Sequence, residues 1–103
     1  MTPTSRSLAE LRKRGYVAEV VEKFNSFTKR RNDLFGIGDI LAIREGEVLL
    51  VQATSGSNTS SRVKKIADSE HIGMIRKAGI AVVVWGWRKG ANGRWALREI
   101  DCS

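Results

Sequence analysis

The sequence is poor in cysteine, proline and histidine, and it has no long apolar run. Each of these three residue types occurs once, and the single cysteine is Cys102. One cysteine excludes an internal disulfide framework and a cysteine-based zinc site, which is the pattern expected in a reducing compartment. The absence of about 20 consecutive apolar residues predicts that no helix spans a membrane. The first residues also lack the apolar core of a secretion signal, so we expect a cytoplasmic protein.

Acidic residues are fewer than basic residues. The chain has 18 lysines and arginines against 11 acids, which gives a formal net charge of +7. A basic excess is typical of proteins with a polyanionic partner, although a merely basic surface is the alternative. Because the basic residues cluster in several patches, we expect a nucleic acid as the partner, bound mainly through its backbone phosphates.

The length of 103 residues predicts one domain, 1–103. The apolar periodicity predicts the order helix, three strands, helix, two strands, and therefore an α/β (α+β) fold with one mixed central sheet flanked by helices and an extra C-terminal strand. The predicted elements are a helix from Ser5 or Ser7 to about Arg14, a strand over 16–24, a polar loop over 25–33, a helix over 60–78 with a break near Asp68, a buried strand over 80–87 and an edge strand over 94–100.

The best-defined feature is a β-hairpin over residues 35–55. Two apolar runs flank Glu45-Gly46, and glycine can adopt the positive φ that a two-residue hairpin turn requires. Counting back from this turn places Asp39 opposite Gln52, and cross-strand neighbours are about 5 Å apart at Cβ. Both faces of the hairpin are apolar, so we expect both to be covered. An acid and an amide therefore meet at the open end, where Asp39 is either a turn aspartate or a metal ligand.

The element order and the run Phe35-Gly36-Ile37-Gly38-Asp39-Ile40-Leu41-Ala42 resemble the PD-(D/E)XK nuclease superfamily. The chain is most similar there to small Holliday-junction-resolvase-like and phage-type nucleases, and the resemblance covers nearly its whole length. It implies an αβββαβ, restriction-endonuclease-like core and a Mg²⁺ or Mn²⁺ site. In that family the hairpin aspartate, which Asp39 matches, is followed on the next strand by an acid and a lysine one residue apart. Here Gln52 has the position of the acid, Thr54 that of the lysine, and Thr4 is near that of a glutamate on the first helix.

The resemblance also implies a set of site residues. Asp39 and Gln52 would bind the metal together with Glu22, which is alternatively a solvated charge on the first strand. Lys64 or Lys65, early in the second helix, would supply the ammonium that the family takes from the strand, unless both bind phosphate at the surface. The predicted catalytic residues are therefore Asp39, Gln52, Glu22 and Lys64, and the predicted nucleic-acid-binding residues are Lys29, Arg30, Arg31, Arg62 and Lys65.

The implied function is that of a metal-dependent endonuclease, a hydrolase of DNA phosphodiester bonds that acts on branched or junction DNA. A homodimer would suit junction DNA because two strands must be cut. The alternative is a catalytically inactive nuclease fold that binds DNA or protein, and the missing acid and lysine favour it. A regulator that binds protein through the exposed last strand is a third interpretation. His71 has no partner motif, so we expect a half-buried helix residue there.

Overall fold

The computed structural model describes residues 1–103 and shows a five-stranded mixed sheet with helices packed on it. The strand order is β1-β4-β5-β6-β7, and only the β5–β6 pair is parallel. The predicted α+β class, with one mixed sheet and an additional C-terminal strand, is confirmed. The elements are α1 (Pro3–Lys13), β1 (Val17–Val20), β2 (Lys23–Asn25), β3 (Arg30–Asn32), β4 (Ile40–Arg44), β5 (Glu47–Ser55), a 3-10 turn (Gly56–Asn58), α2 (Thr59–Ala67), α3 (Ile72–Lys77), β6 (Ala81–Lys89) and β7 (Trp95–Asp101).

The hairpin of β4 and β5 has the predicted register. Arg44 pairs with Glu47 across the turn, and Gly46 adopts a φ of 74°. The register from Arg44 to Ile40 follows from turn geometry, because a two-residue loop leaves only one register for the strands that it joins. The pairing ends at Ile40 with Val51, and the Asp39 N–H also donates to the Val51 carbonyl oxygen, at 2.9 Å. The ladder therefore does not extend to the predicted pair of Asp39 and Gln52.

Helices cover both faces of the sheet, as the two apolar faces predict. On one face Leu11 of α1 packs in a cluster with Val51 and Trp85. On the other face Ile66 of α2 packs in a cluster with Leu50 and its neighbours. Leu50 and Val51 are consecutive, and alternate strand residues point to opposite faces. Full burial of each such side chain contributes roughly 1.5–3 kcal/mol to folding, so the two clusters hold the hairpin in place.

Helix α1 begins earlier than predicted. Thr2 is its N-cap, with the Thr2 hydroxyl accepting from the Ser5 N–H at 3.1 Å and the Ser5 hydroxyl accepting from the Thr2 N–H at 2.9 Å. Pro3 follows the cap, a position that suits proline because its missing N–H would have no partner there. The prediction of a start at Ser5 or Ser7 is therefore wrong. The extra residues bring Thr4 to the end of the hairpin.

The largest difference from the prediction lies between β1 and β4. The single strand predicted over 16–24 is divided into β1 and β2, and the polar loop predicted over 25–33 is instead part of a hairpin in which β2 pairs with β3. We call residues 23–32 the arm. Its strands are three residues long and mostly polar, so they lack the apolar alternation from which strands are predicted.

The helical region after β5 breaks where it was predicted to break. Helix α2 ends at Ala67, and α3 begins at Ile72. His71 precedes α3 with its side chain 51% exposed, so the expectation of a half-buried helix residue is wrong. None of the helices is long and apolar enough to cross a membrane.

Candidate functional site

Three carboxylates converge at the open end of the central hairpin. Glu22, Asp33 and Asp39 each offer an oxygen, and these oxygens all lie within 4.8 Å of one another. The arm brings two of them together. Lys23 pairs with Asn32 at the base of the arm, Glu22 directly precedes Lys23, and Asp33 directly follows Asn32. Glu22 and Asp39 are both among the metal ligands that the resemblance implies. Asp33 is not, because its position depends on the arm.

Asp39 is the most enclosed of the three acids, with 3% of the residue exposed. Its Oδ1 accepts from the Ala53 N–H at 3.1 Å, and its Oδ2 accepts from the Thr4 hydroxyl at 3.3 Å. No basic side chain forms an ion pair with it. The pKa of Asp39 is raised from 3.8 to about 6, mainly by burial and also by the negative Asp33 and Glu22, while the hydrogen bonds from Ala53 and Thr4 oppose the rise. The site therefore holds a buried acid whose negative charge has no compensating positive charge.

The other two acids each have a basic partner at the rim of the cluster. Arg31 lies 3.4 Å from Glu22, and Lys65 lies 3.4 Å from Asp33, measured between the charged atoms. The side chains of both acids are 14% exposed. Lys65 is thus the lysine that reaches the cluster, whereas Lys64 forms no ion pair with any of the three acids.

Gln52 is 3% exposed and lies beside Asp33. When the amide nitrogen is on that side, it donates to Asp33 Oδ2 at 3.0 Å and to the carbonyl oxygen of Ile37 at 2.8 Å. In the opposite orientation the Gln52 oxygen faces these two oxygens, an arrangement that only a cation among them would satisfy. Thr54, in the position where the resemblance places a lysine, is 4% exposed and carries no charge.

The donor atoms of the cluster fit a hard divalent cation. All of them are oxygens, and Mg²⁺ and Mn²⁺ prefer carboxylate oxygens to nitrogen or sulfur. A divalent ion would also supply the positive charge that Asp39 lacks and reduce the repulsion among the acids. Glu22, Asp33 and Asp39 are the residues that would hold the ion, and Gln52 would contribute a fourth oxygen in one of its two orientations.

Basic side chains lie around the cluster on two elements. On the arm, Lys29 and Arg30 are exposed next to Arg31, which pairs with Glu22. On α2, Lys65 reaches Asp33, and half-buried Arg62 has a buried Nε without a hydrogen-bond partner. All five predicted nucleic-acid-binding residues are therefore on the two elements that carry the ion-pair partners of Glu22 and Asp33.

Open cavities flank the cluster on both sides. One of about 520 Å³ lies against the arm and includes Asp33 in its lining. A second, also of about 520 Å³, is lined by residues that include Thr4, Glu22 and Arg31. The acids are thus accessible from two directions even though Asp39 itself is buried.

Comparisons with known proteins return no relative: no family model matches the chain, and no curated protein matches it. The resemblance to the PD-(D/E)XK superfamily therefore depends on the element order and on the position of Asp39 at the head of the central hairpin.

Proposed function

We propose that the protein is a metal-dependent nuclease that cleaves DNA phosphodiester bonds, with a degenerate form of the PD-(D/E)XK site. The observation that carries this proposal is the convergence of Glu22, Asp33 and Asp39 within 4.8 Å. Acidic groups are often close at protein surfaces, but here one member is buried without a basic partner, and each of the other two is paired with one basic side chain. Nucleases that use divalent ions need both features, since the metal must be held and the phosphate backbone must be attracted.

A bound Mg²⁺ or Mn²⁺ ion would supply Lewis acidity at the phosphate and an activated water. The residues of the chain would hold and orient the reactants. Asp39 is fixed in one orientation by the Ala53 N–H and the Thr4 hydroxyl. Lys65, whose Nζ is 3.4 Å from Asp33, would hold a phosphate oxygen beside the cluster. The resemblance places a lysine at position 54 on β5, where this chain has Thr54. Lys65 on α2 would supply the missing ammonium group instead.

A DNA-binding module without catalysis is the second candidate. Gln52 and Thr54 bring neither an acid nor an ammonium to β5, and the Gln52 amide can donate to Asp33 without any ion being present. The basic residues of the arm and α2 would then bind phosphates and place the DNA without reading its sequence.

Cleavage assays with an acid-to-amide variant separate the two candidates. Branched, flap and linear DNA are incubated with the wild type, Asp39→Asn and Asp68→Asn in Mg²⁺, Mn²⁺ or EDTA. Asp68 is the matched control because it is an exposed aspartate at the end of α2. Metal-dependent cleavage by the wild type and Asp68→Asn that is absent in Asp39→Asn supports the nuclease. Salt-sensitive binding without cleavage by any of the three proteins supports the module, and no binding at low salt contradicts both.

A further inference from the structure

The arm extends directly from the acid cluster and is strongly basic. Glu22 precedes its first strand, and Asp33 follows its second strand. Its residues include four basic side chains and no acidic one. Any polyanion at the cluster therefore also lies beside the positive charge of the arm.

Three exposed phenylalanines accompany this charge. Phe24 is 61% exposed, Phe27 is 96% exposed, and Phe35, just after the arm, is 50% exposed. All three line the cavity of about 520 Å³ that also includes Asp33. Large apolar side chains that are exposed next to one another indicate an interaction site more often than exposed apolar side chains that are scattered singly.

The tip of the arm holds Phe27 in an ordered turn. The side-chain oxygen of Asn25 accepts from the N–H groups of Phe27 at 2.9 Å and Thr28 at 3.3 Å. Lys29 then adopts the left-handed region with a φ of 57°, which closes the turn. Phe27 is thus displayed by a defined backbone conformation.

We propose that the cavity beside the arm binds an unpaired nucleobase of the DNA strand whose phosphate lies at the acid cluster. This inference rests on the proposed function, because it takes DNA as the substrate. Aromatic side chains stack on the face of any base, and apolar side chains at the tip of a basic element separate stacked bases. Asp33 belongs to both the cavity and the cluster, so a base and a phosphate of the same strand would lie side by side.

The occupant is a nucleic acid because the arm that carries Phe24 and Phe27 has only positive charges, and Asp33, the one acid in the cavity lining, is paired with Lys65. Lys23 lines the cavity itself, and Lys29, Arg30 and Arg31 follow the tip. A base within a duplex has both faces covered by its neighbours, so an unpaired base offers a face to Phe24 or Phe27 without the cost of unstacking a base step. The substrate class that follows is DNA with bulges, flaps, junctions or single strands.

Binding measurements in EDTA test this inference apart from cleavage. The probes are a fluorescently labelled duplex with one bulged base and its fully paired counterpart, measured by anisotropy. We expect the wild type to bind the bulged duplex about tenfold more tightly, the range that base–aromatic stacking provides. Phe24→Ala and Phe27→Ala should each reduce this preference and leave binding to the paired duplex unchanged. Val17→Ala, at a residue 67% exposed in β1, is the matched control and should keep the preference.

Equal binding of the two duplexes by the wild type overturns the inference, and so does a preference that both phenylalanine variants retain. A dimer in solution that Phe27→Ala dissociates, with the preference unchanged, would show that a second copy covers the arm and would also overturn it. A wild type that shows the preference but cleaves no DNA in Mg²⁺ or Mn²⁺ contradicts the nuclease and supports the base site.

Discussion

Asp39 makes the metal-free protein less stable as its carboxyl ionises. The pKa of the carboxyl is 3.8 in its ordinary state and about 6 in the folded protein. At pH values below 3.8 both the folded and the unfolded state are protonated, so the shift has no effect there. As the pH rises through 3.8 toward about 6, the unfolded state ionises first, and the folded state loses stability that it does not regain at higher pH. The full loss is on the order of 3 kcal/mol.

We therefore predict that Asp39→Asn raises the melting temperature of the metal-free protein at about pH 8 and has little effect at about pH 3. Asparagine keeps an oxygen for the Ala53 N–H and removes the buried charge. Thermal unfolding in EDTA at the two pH values measures the effect, with Asp68→Asn as the control that should change neither. A lower melting temperature for Asp39→Asn at both pH values would contradict the prediction.

Gln52 limits the charge of the site, so replacing it should change metal affinity. Gln52→Glu places a fourth carboxylate next to Asp33, whose Oδ2 is 3.0 Å from the Gln52 amide. We predict that this variant is less stable than the wild type in EDTA, because like charges are forced together, and that Mn²⁺ raises its melting temperature by more. Asp33→Asn should show a smaller Mn²⁺ shift than the wild type. Equal shifts in all three proteins would show that the ion does not bind here.

The residues of the site differ in how far the sequence predicts them. The register of β4 against β5 is predictable because turn length determines it, and it brings Asp39 and Gln52 to the same end of the hairpin. Asp33 is not predictable, because the strands that place it carry almost no apolar signal. The same limit applies to Lys65 and Lys64: both are exposed on α2, and which of them reaches the cluster depends on where the arm places Asp33.

At the scale of elements, the entry into β4 determines where Asp39 lies. Gly38 directly precedes Asp39, and a Cβ at this position would overlap the side chain of Leu50, which is 1% exposed. We predict that Gly38→Ala lowers the free energy of unfolding by about 1–3 kcal/mol, the usual effect of overpacking in a core. Urea unfolding measures the loss, and the Mn²⁺ shift of the variant should also decrease because Asp39 is displaced.

Gly73 in α3 is the matched control for Gly38. A Cβ at Gly73 would meet no atom within 4 Å. Gly73→Ala should stabilise the protein by up to about 1 kcal/mol, because alanine favours the helix. If both substitutions have the same effect, the close approach of Gly38 to Leu50 does not position the hairpin.

Like the residues of the site, the elements differ in whether the sequence predicts them. Strands β4, β5 and β6 are apolar runs with buried residues, and their prediction depends on a core that the whole sheet shares. The arm has only exposed or half-buried residues, so backbone pairing and the Asn25 turn form it instead of burial. An element of this kind leaves almost no trace in a hydrophobic pattern, although it completes the candidate site.

At the scale of the whole molecule, the net charge of +7 should strengthen DNA binding mainly through the basic residues of the arm. Lys29 on the arm and Lys13 at the end of α1 are both exposed lysines. Thr4 contacts Asp39, and Lys13 lies nine residues further along α1, about 13 Å away at 1.5 Å per residue. The two lysines therefore contribute equally to net charge, but only Lys29 lies on the basic arm whose ends carry Glu22 and Asp33.

We predict that Lys29→Gln weakens DNA binding and lowers the slope of log affinity against log salt by about 0.9, the value for the loss of one phosphate contact. Lys13→Gln removes the same charge from α1, outside the arm, and should leave the slope close to that of the wild type. Anisotropy titrations of paired DNA in EDTA, over a series of salt concentrations, measure both slopes without cleavage. Equal changes for the two variants would mean that DNA responds to the net charge alone, and the arm would then have no special part in binding.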